Sequence, residues 1–430
     1  MLIAKQNRQA LFNIMQPNSI AILWGKKLQY RTHDVEYLFR QDSNFYYLTA
    51  FAEPEAIAVF IKFIDSEQQF ILFSQTKNLD QEVWSGPIIG QQLAKEVYGA
   101  DLAYDILQID NILPELLLNK SVLYYPMLQK LELEKDLLKW RNLSSKIIKA
   151  KNNHFFPRIT QDLSAILYEL RLIKSPLELK NIRYAAEISA KAHEHIMYYV
   201  ANSKQLTEKH IQTEFHNYCL RQGCTDMAYP AIVASGANAC ILHYTKNSSM
   251  LKSGDLLLID AGAEYNYYAA DITRTFPVNG KFSGLQRDLY QLVLRAQHLV
   301  INKIKPGLLW SDMQKTIVHC ITQGLIDLKI LQGNIDELIE SAAYKKFYMH
   351  SSGHFLGMDV HDPSTYKIDN QYRTLLPGMV LTVEPGIYIR EHNIGIRIED
   401  DILVTNNGFE VLTKIAIKDI DDLEYLMKNK

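Results

Sequence analysis

In the first half of the chain, AIAVFIKFI (56–64) and QFILFS (69–74) are mainly apolar runs of strand length, rich in β-branched and aromatic residues, which predicts buried strands. KEVYGADLAYDILQIDNILPELL (95–117) spaces its apolar residues more widely and predicts helix. Strands alternating with helices make this half an α/β domain. From Leu172 the text becomes LIKSPLELKNIRYAAEISAKAHEHIM. Ser175 suits an N-cap, Pro176 the first helical position, and Glu178 the reciprocal partner of a capping box. A new helix and a new domain are expected to start there, giving domains of residues 1–172 and 173–430.

The second half places charged residues where its pattern calls for burial. GDLLLIDAGAEYNYYAADITRTFPVNG (254–280) reads as two strands around a polar turn. With the turn centred on Tyr265 and Asn266, antiparallel pairing sets Asp260 directly opposite Asp271, Cβ atoms roughly 5 Å apart on one face. Two facing carboxylates repel unless a cation lies between them or one is protonated. A solvated pair flanking the turn is the plainer alternative, weakened by the apolar run LLLI that ends at Asp260. MVLTVEPGIYI (379–389) and IGIRIEDDILV (394–404) are two more strand-like runs, interrupted by Glu384 and Glu399. Alternation puts Thr382 with Glu384 on one face and Arg397 with Glu399 on one face, so the guanidinium could pair with or orient that carboxylate, a plain surface ion pair being the simpler alternative. Between these regions YMHSSGHFLGMDVHD (348–362) gathers His350, His354 and His361 among glycine and serine breaks, a loop rather than a helix. Taken singly, each histidine could be a hydrogen-bonded core residue.

Bulk properties narrow the chemistry. The 430 residues are 47% hydrophobic and 22% charged with a formal net charge of -2, the balance of a globular protein with no basic field for nucleic acid or anionic lipid. No apolar run approaches the roughly 20 residues needed to span a bilayer, and the N-terminus lacks a secretory core, so a cytoplasmic location is expected. Cys219, Cys224, Cys240 and Cys320 fit neither a disulfide framework nor a zinc knuckle and read as small buried hydrophobes. Four carboxylates and one imidazole, Asp260, Asp271, His354, Glu384 and Glu399, suit two hard or borderline divalent ions. Calcium rarely recruits histidine, and a structural zinc is more often closed by cysteines.

The order Asp, Asp, His, Glu, Glu in these contexts resembles the pita-bread metallopeptidases, which include methionine aminopeptidase, prolidase and aminopeptidase P. IVASGANACILHY with His243, DAGAEYNYYAADITRTFPVNGKF, HSSGHFLGMDVHD, VLTVEPGIY and GIRIEDD look like bacterial aminopeptidase P. YRTHDVEYLFRQDSNFYYLTAFAEPEAIAVF is similar to the smaller N-terminal domain of aminopeptidase P and prolidase. The resemblance implies an α/β N-terminal domain followed by a pita-bread domain with a curved antiparallel sheet. It implies two divalent ions, usually manganese, with cobalt or zinc as alternatives, held by Asp260, Asp271, His354, Glu384 and Glu399, with Asp271 and Glu399 bridging. A metal-bridging hydroxide would attack the N-terminal Xaa-Pro bond of a peptide, Glu384 would handle its proton, and His243, His350 and His361 would line the pocket and hold the intermediate. Arg397 and Tyr388 look like a family arginine and tyrosine beside the site. Trp84 resembles an aromatic that caps a neighbouring subunit's site in a homodimer or homotetramer, although a buried structural tryptophan fits it equally. The stretch between Tyr388 and Ile394 is shorter than in bacterial relatives. Prolidase, restricted to dipeptides, is the nearest alternative, and a non-catalytic binding protein on the same scaffold a more distant one.

Overall fold

Six strands organise the N-terminal part: β1 (Ser19–Trp24), β2 (Ile57–Lys62), β3 (Gln68–Ser74), β4 (Leu102–Asp105), β5 (Val122–Tyr125) and β6 (Ile159–Asp162), in the order β4-β3-β2-β1-β5-β6. The apolar runs form the antiparallel centre, with β1 on β2 and β2 on β3, while β4, β5 and β6 add in parallel. Ile20, Val59, Phe73 and Leu123 share its buried cluster. One expected helix is corrected: Leu102–Asp105, inside 95–117, is strand. Gly99, at φ 72, turns the chain back, and Asp101 locks it to the edge of β3, its N–H donating to Phe70 O (2.8 Å) and its Oδ2 accepting from Phe70 N (2.7 Å). That edge outweighs a weak helical spacing. This computed structural model describes residues 1–127, 131–151 and 154–428; the chain divides into two units, Met1–Leu170 and Arg171–Lys430.

The second unit begins with the capped helix. Ser175 Oγ accepts from Glu178 N while the Glu178 side chain accepts from Ser175 N, and Pro176 opens a helix that runs to Asn202. Behind the strands lie Gly284–Ile301 and Trp310–Asp327, with Leu289, Val293, Ile317 and Ile321 in the core.

Every strand ladder of this unit is antiparallel. The strands are β7 (Asp226–Met227), β8 (Ile232–Ser235), β9 (Leu256–Asp260), β10 (Ala263–Tyr265), β11 (Tyr268–Ala269), β12 (Thr273–Pro277), β13 (Lys367–Ile368), β14 (Gln371–Tyr372), β15 (Val380–Val383), β16 (Gly386–Ile389), β17 (Ile394–Arg397), β18 (Asp400–Val404) and β19 (Phe409–Val411). They form short ladders, β12-β9-β8, β11-β10-β7, β15-β18-β19, β16-β17 and the hairpin β13-β14. The expected curved sheet is thus cut into pieces, and the cuts fall at the acids.

The first hairpin runs β9-β10, turns at Asn266 and Tyr267 (φ 49 and 70), and returns as β11-β12. Two consecutive positive-φ residues are the signature of a twisted two-residue hairpin turn. The turn is one residue later than the sequence suggested, so Asp260 pairs with Thr273 rather than Asp271. A two-residue change of partner preserves the face of a strand, and Asp271 stays near Asp260, diagonally placed. Between the ladders the strands pinch together: a Cβ on Gly262 would sit 1.8 Å from Ala270 O.

The second hairpin is broken in the same manner. Val383 pairs with Asp400 and Gly386 with Arg397, so Glu384 and Glu399 face one another across paired gaps. Gln297, buried on Gly284–Ile301, fills the gaps: its Nε2 lies 3.2 Å from Val383 O, 3.1 Å from Ile398 O and 3.0 Å from Asp400 Oδ2.

Candidate metal centre

Each acid stands where its strand stops. Asp260 ends β9, Asp271 precedes β12, Glu384 follows β15 and Glu399 precedes β18. Side chains at such breaks turn inward without disrupting a ladder. His354 is brought beside them by exchange with β15, His354 N donating to Thr382 Oγ1 (3.0 Å) and Thr382 N to His354 O (2.9 Å). Ligand atoms of Asp271, His354 and Glu399 lie within 4.8 Å of one another. His354 Nε2 is 3.3 Å from Asp271 Oδ2 and 3.7 Å from Glu384 Oε1.

Asp260 is held from two sides. Arg397 Nη2 donates to its Oδ2 at 2.5 Å, and the Tyr229 hydroxyl lies 2.6 Å from its Oδ1 while also touching Asp271 Oδ1. Of the two roles the sequence leaves open for Arg397, pairing with Glu399 or orienting it, the direct pair is made with Asp260 instead. The guanidinium takes Asp260 because β9 lies within its reach, and it meets Glu399 only through Thr273: Arg397 Nε donates to Thr273 Oγ1 (3.1 Å), which donates to Glu399 Oε2 (2.6 Å). Arg397 Nη1 also donates to the Tyr388 hydroxyl at 2.9 Å.

Without a cation this cluster is electrostatically strained. Burial, then repulsion from Asp260, raises Asp271. Burial lifts Glu384 to about 7 against the relief of His354 and Arg397, and burial with Asp271 lifts Glu399 well above the carboxylate range. Burial alone would lower His354, yet hydrogen bonding to Asp271 and the charge of Glu384 hold it at about 9. Its Nδ1 lies 3.2 Å from Phe355 O. A carbonyl accepts only, so Nδ1 carries hydrogen; Nε2 faces the acids, donating to Asp271 while the ring is charged and offering a lone pair to a cation once that proton is lost. Buried carboxylates with raised pKa values around an imidazole lone pair are the donor set that a divalent cation relieves, so these residues fit a metal.

The site opens into a cavity of about 970 Å³ lined by His243, His350, His354, His361, Asp260, Asp271, Glu384, Arg397 and Glu399 together with Trp310 and Tyr366. His350 is lowered to about 4 by burial and by Arg397. Its Nδ1 meets Ser351 O (2.9 Å) and its Nε2 the Tyr388 hydroxyl (2.9 Å), so Nδ1 donates and Nε2 accepts. Tyr388 thus links Arg397 to His350 from behind the cavity wall. The His361 ring packs on His354, centroids 4.2 Å apart at 71°. Trp84 is outside this cavity, 90% exposed on the helix Leu79–Ser85 of the first unit, which excludes a buried structural tryptophan. The four cysteines are buried, as their apolar reading required.

Sequence reading missed Tyr229, Thr273, Gln297 and Asp401, whose Oδ2 accepts from Asp271 N (3.1 Å). Asp401 and Thr273 each stand two residues from an acid that drew attention, Glu399 and Asp271.

Residues 180–406 match metallopeptidase family M24, and residues 4–124 match the aminopeptidase P N-terminal domain. The chain belongs to metallopeptidase family M24. Among M24 relatives, the Xaa-Pro aminopeptidase of Escherichia coli strain K12 is 40% identical over 98% of this chain and 97% of its own. That of Haemophilus influenzae is 41% identical over 98% and 96%. The solved structure of Pseudomonas aeruginosa aminopeptidase PepP superposes with a TM-score of 0.95 at 43% identity, covering 99% of this chain and 97% of that one. Membership of M24 makes the chain a metallopeptidase with a pita-bread catalytic domain, and Asp271, His354 and Glu399 are its candidate metal-binding group. No helix among the described residues is long and apolar enough to cross a membrane.

Proposed function

We propose that this M24 enzyme is an Xaa-Pro aminopeptidase, removing the first residue of a peptide when proline stands second. The observation that carries the reading is the end-to-end likeness to Xaa-Pro aminopeptidases in a chain that keeps five metal donors in one cavity. Asp260, Asp271, His354, Glu384 and Glu399 would hold the metal. Two divalent ions held there, manganese first and cobalt or zinc as alternatives, would supply Lewis acidity and lower the pKa of water.

The protein's own groups divide the remaining work. Glu384, a carboxylate lining the cavity beside His354, is placed to take a proton and return it to the departing proline nitrogen. His361 and His243 line the cavity and would hydrogen-bond the substrate carbonyl as its charge grows. Arg397, Tyr388 and His350 form a relay of hydrogen bonds that fixes the neutral His350 ring in one tautomer. An X-Pro bond is a tertiary amide without N–H, so a cavity that fills the ring's place with apolar contact and holds the carbonyl selects it. Trp310, Tyr366 and Val360 supply such contact.

The same reading makes the enzyme cytoplasmic and places exposed Trp84 over a neighbouring subunit's site in a homodimer or homotetramer. Incubating the manganese-loaded enzyme with Arg-Pro-Pro and, separately, with Ala-Pro tests it. Release of arginine from the tripeptide is expected; cleavage of the dipeptide alone assigns a prolidase, and cleavage of neither contradicts the activity.

A further inference from the structure

Asp362 follows His361 directly, yet the two have different surroundings. His361 lines the cavity against His354, whereas Asp362 lies in a buried ionic cluster. Its Oδ1 accepts from Arg171 Nη2 at 2.6 Å and its Oδ2 from Lys174 Nζ at 3.0 Å, while Arg171 Nη2 also reaches Asp359 Oδ2 at 2.6 Å. Arg171, Lys174 and Asp362 are each no more than 4% exposed. Two cations and two acids balance, and Lys174 and Arg171 keep Asp362 ionised below its ordinary range despite burial.

The loop between has little slack. Asp362 N donates to Phe355 O (2.8 Å), Ala269 N of β11 donates to Gly357 O (2.9 Å), and a Cβ on Gly357 would lie 2.5 Å from Asp362 Oδ2. Burying such a cluster costs several kcal/mol per ion and gains little over an apolar replacement. General stability is therefore a poor account of it, whereas a fixed direction for the adjoining residue is a good one.

We propose that Arg171, Lys174 and Asp362 are positioning residues that orient the His361 imidazole over the metal centre. Its kinetic consequence rests on the role given to His361 above. Arg171→Lys keeps the charge and removes the planar fork; Asp359→Asn, at a more exposed acid, loosens the same guanidinium at smaller cost to folding. Spectra of the zinc-loaded enzyme with isotope-labelled histidine, the His361 signal assigned by its loss in His361→Ala, report the ring directly. In both variants the His361 signal should move while those of His243 and His350 stay, with bound zinc unchanged. In the same variants kcat for Arg-Pro-Pro should fall roughly tenfold and KM change less than about twofold, as expected when a group acting on the transition state is misplaced. A shifted signal with undiminished kcat would leave the positioning standing and remove the catalytic role of His361. An unmoved His361 signal in both variants would overturn the proposal.

Discussion

Glu384 stands opposite Glu399 across a hairpin whose strands are both interrupted at that level, with Gln297 bonded to the carbonyl preceding each acid. Two glutamates in register, Glu399 buried and Glu384 partly so, are what a fold avoids unless something positive is to lie between them.

A pH dependence follows for the metal-free protein. Burial first, and then like charge, lifts Glu384 from the ordinary 4.5 to about 7 and Glu399 higher still. Folded pKa values above the unfolded ones mean that this contribution to stability is complete below about pH 4.5 and is lost as pH rises through about 7. A bound cation removes the penalty, so the Tm difference between loaded and chelated protein should widen across that interval. Differential scanning calorimetry of both forms measures it, and a constant difference would count against the site.

Asp271→Asn should abolish metal binding and turnover while leaving the fold intact, because it removes one carboxylate from a cluster that repels itself. Metal content after dialysis and the far-ultraviolet spectrum check the two halves of that statement. Full activity in the variant would refute the ligand assignment.

Much of this architecture is legible in the sequence because charge interrupts apolar runs. Asp260 after LLLI, and Glu384 and Glu399 within strand-like text, announce themselves as acids where burial is due. The register was one turn position off because Tyr267 adopts φ 70, a conformation that a bulky residue rarely signals. Arg397 went to Asp260 rather than Glu399 because its partner comes from a strand 137 positions away, beyond what alternation along one strand can report. Tyr229 and Gln297 stayed invisible for the same reason: a single tyrosine or glutamine has no periodicity, and its meaning lies in what the fold sets beside it.

Tyr229 offers one proton to two carboxylates, Asp260 and Asp271. Tyr229→Phe should preserve the fold and weaken metal binding by roughly 10–100-fold, the usual effect of losing a group that orients ligands. Competition with a chelating dye gives the affinity, and an unchanged value would make the tyrosine a packing residue.

Gln297→Leu should act through stability. Leaving Val383 O and Ile398 O without their buried donor costs about 1–3 kcal/mol for each group left unsatisfied, measurable by urea unfolding of the chelated protein. No loss would mean that the strand breaks are satisfied otherwise.

His361→Ala separates binding from turnover. The ring holds no place among the proposed ligands, so the variant should keep its metal and lose chiefly kcat, and wild-type turnover would strike His361 from the mechanism.

The most direct test titrates the chelated enzyme with manganese in a calorimeter while following arginine release from Arg-Pro-Pro in parallel. Two ions bound per chain, with cleavage absent before addition and rising with occupancy, is the predicted result; cleavage that persists in the fully chelated enzyme would contradict the metal-dependent account.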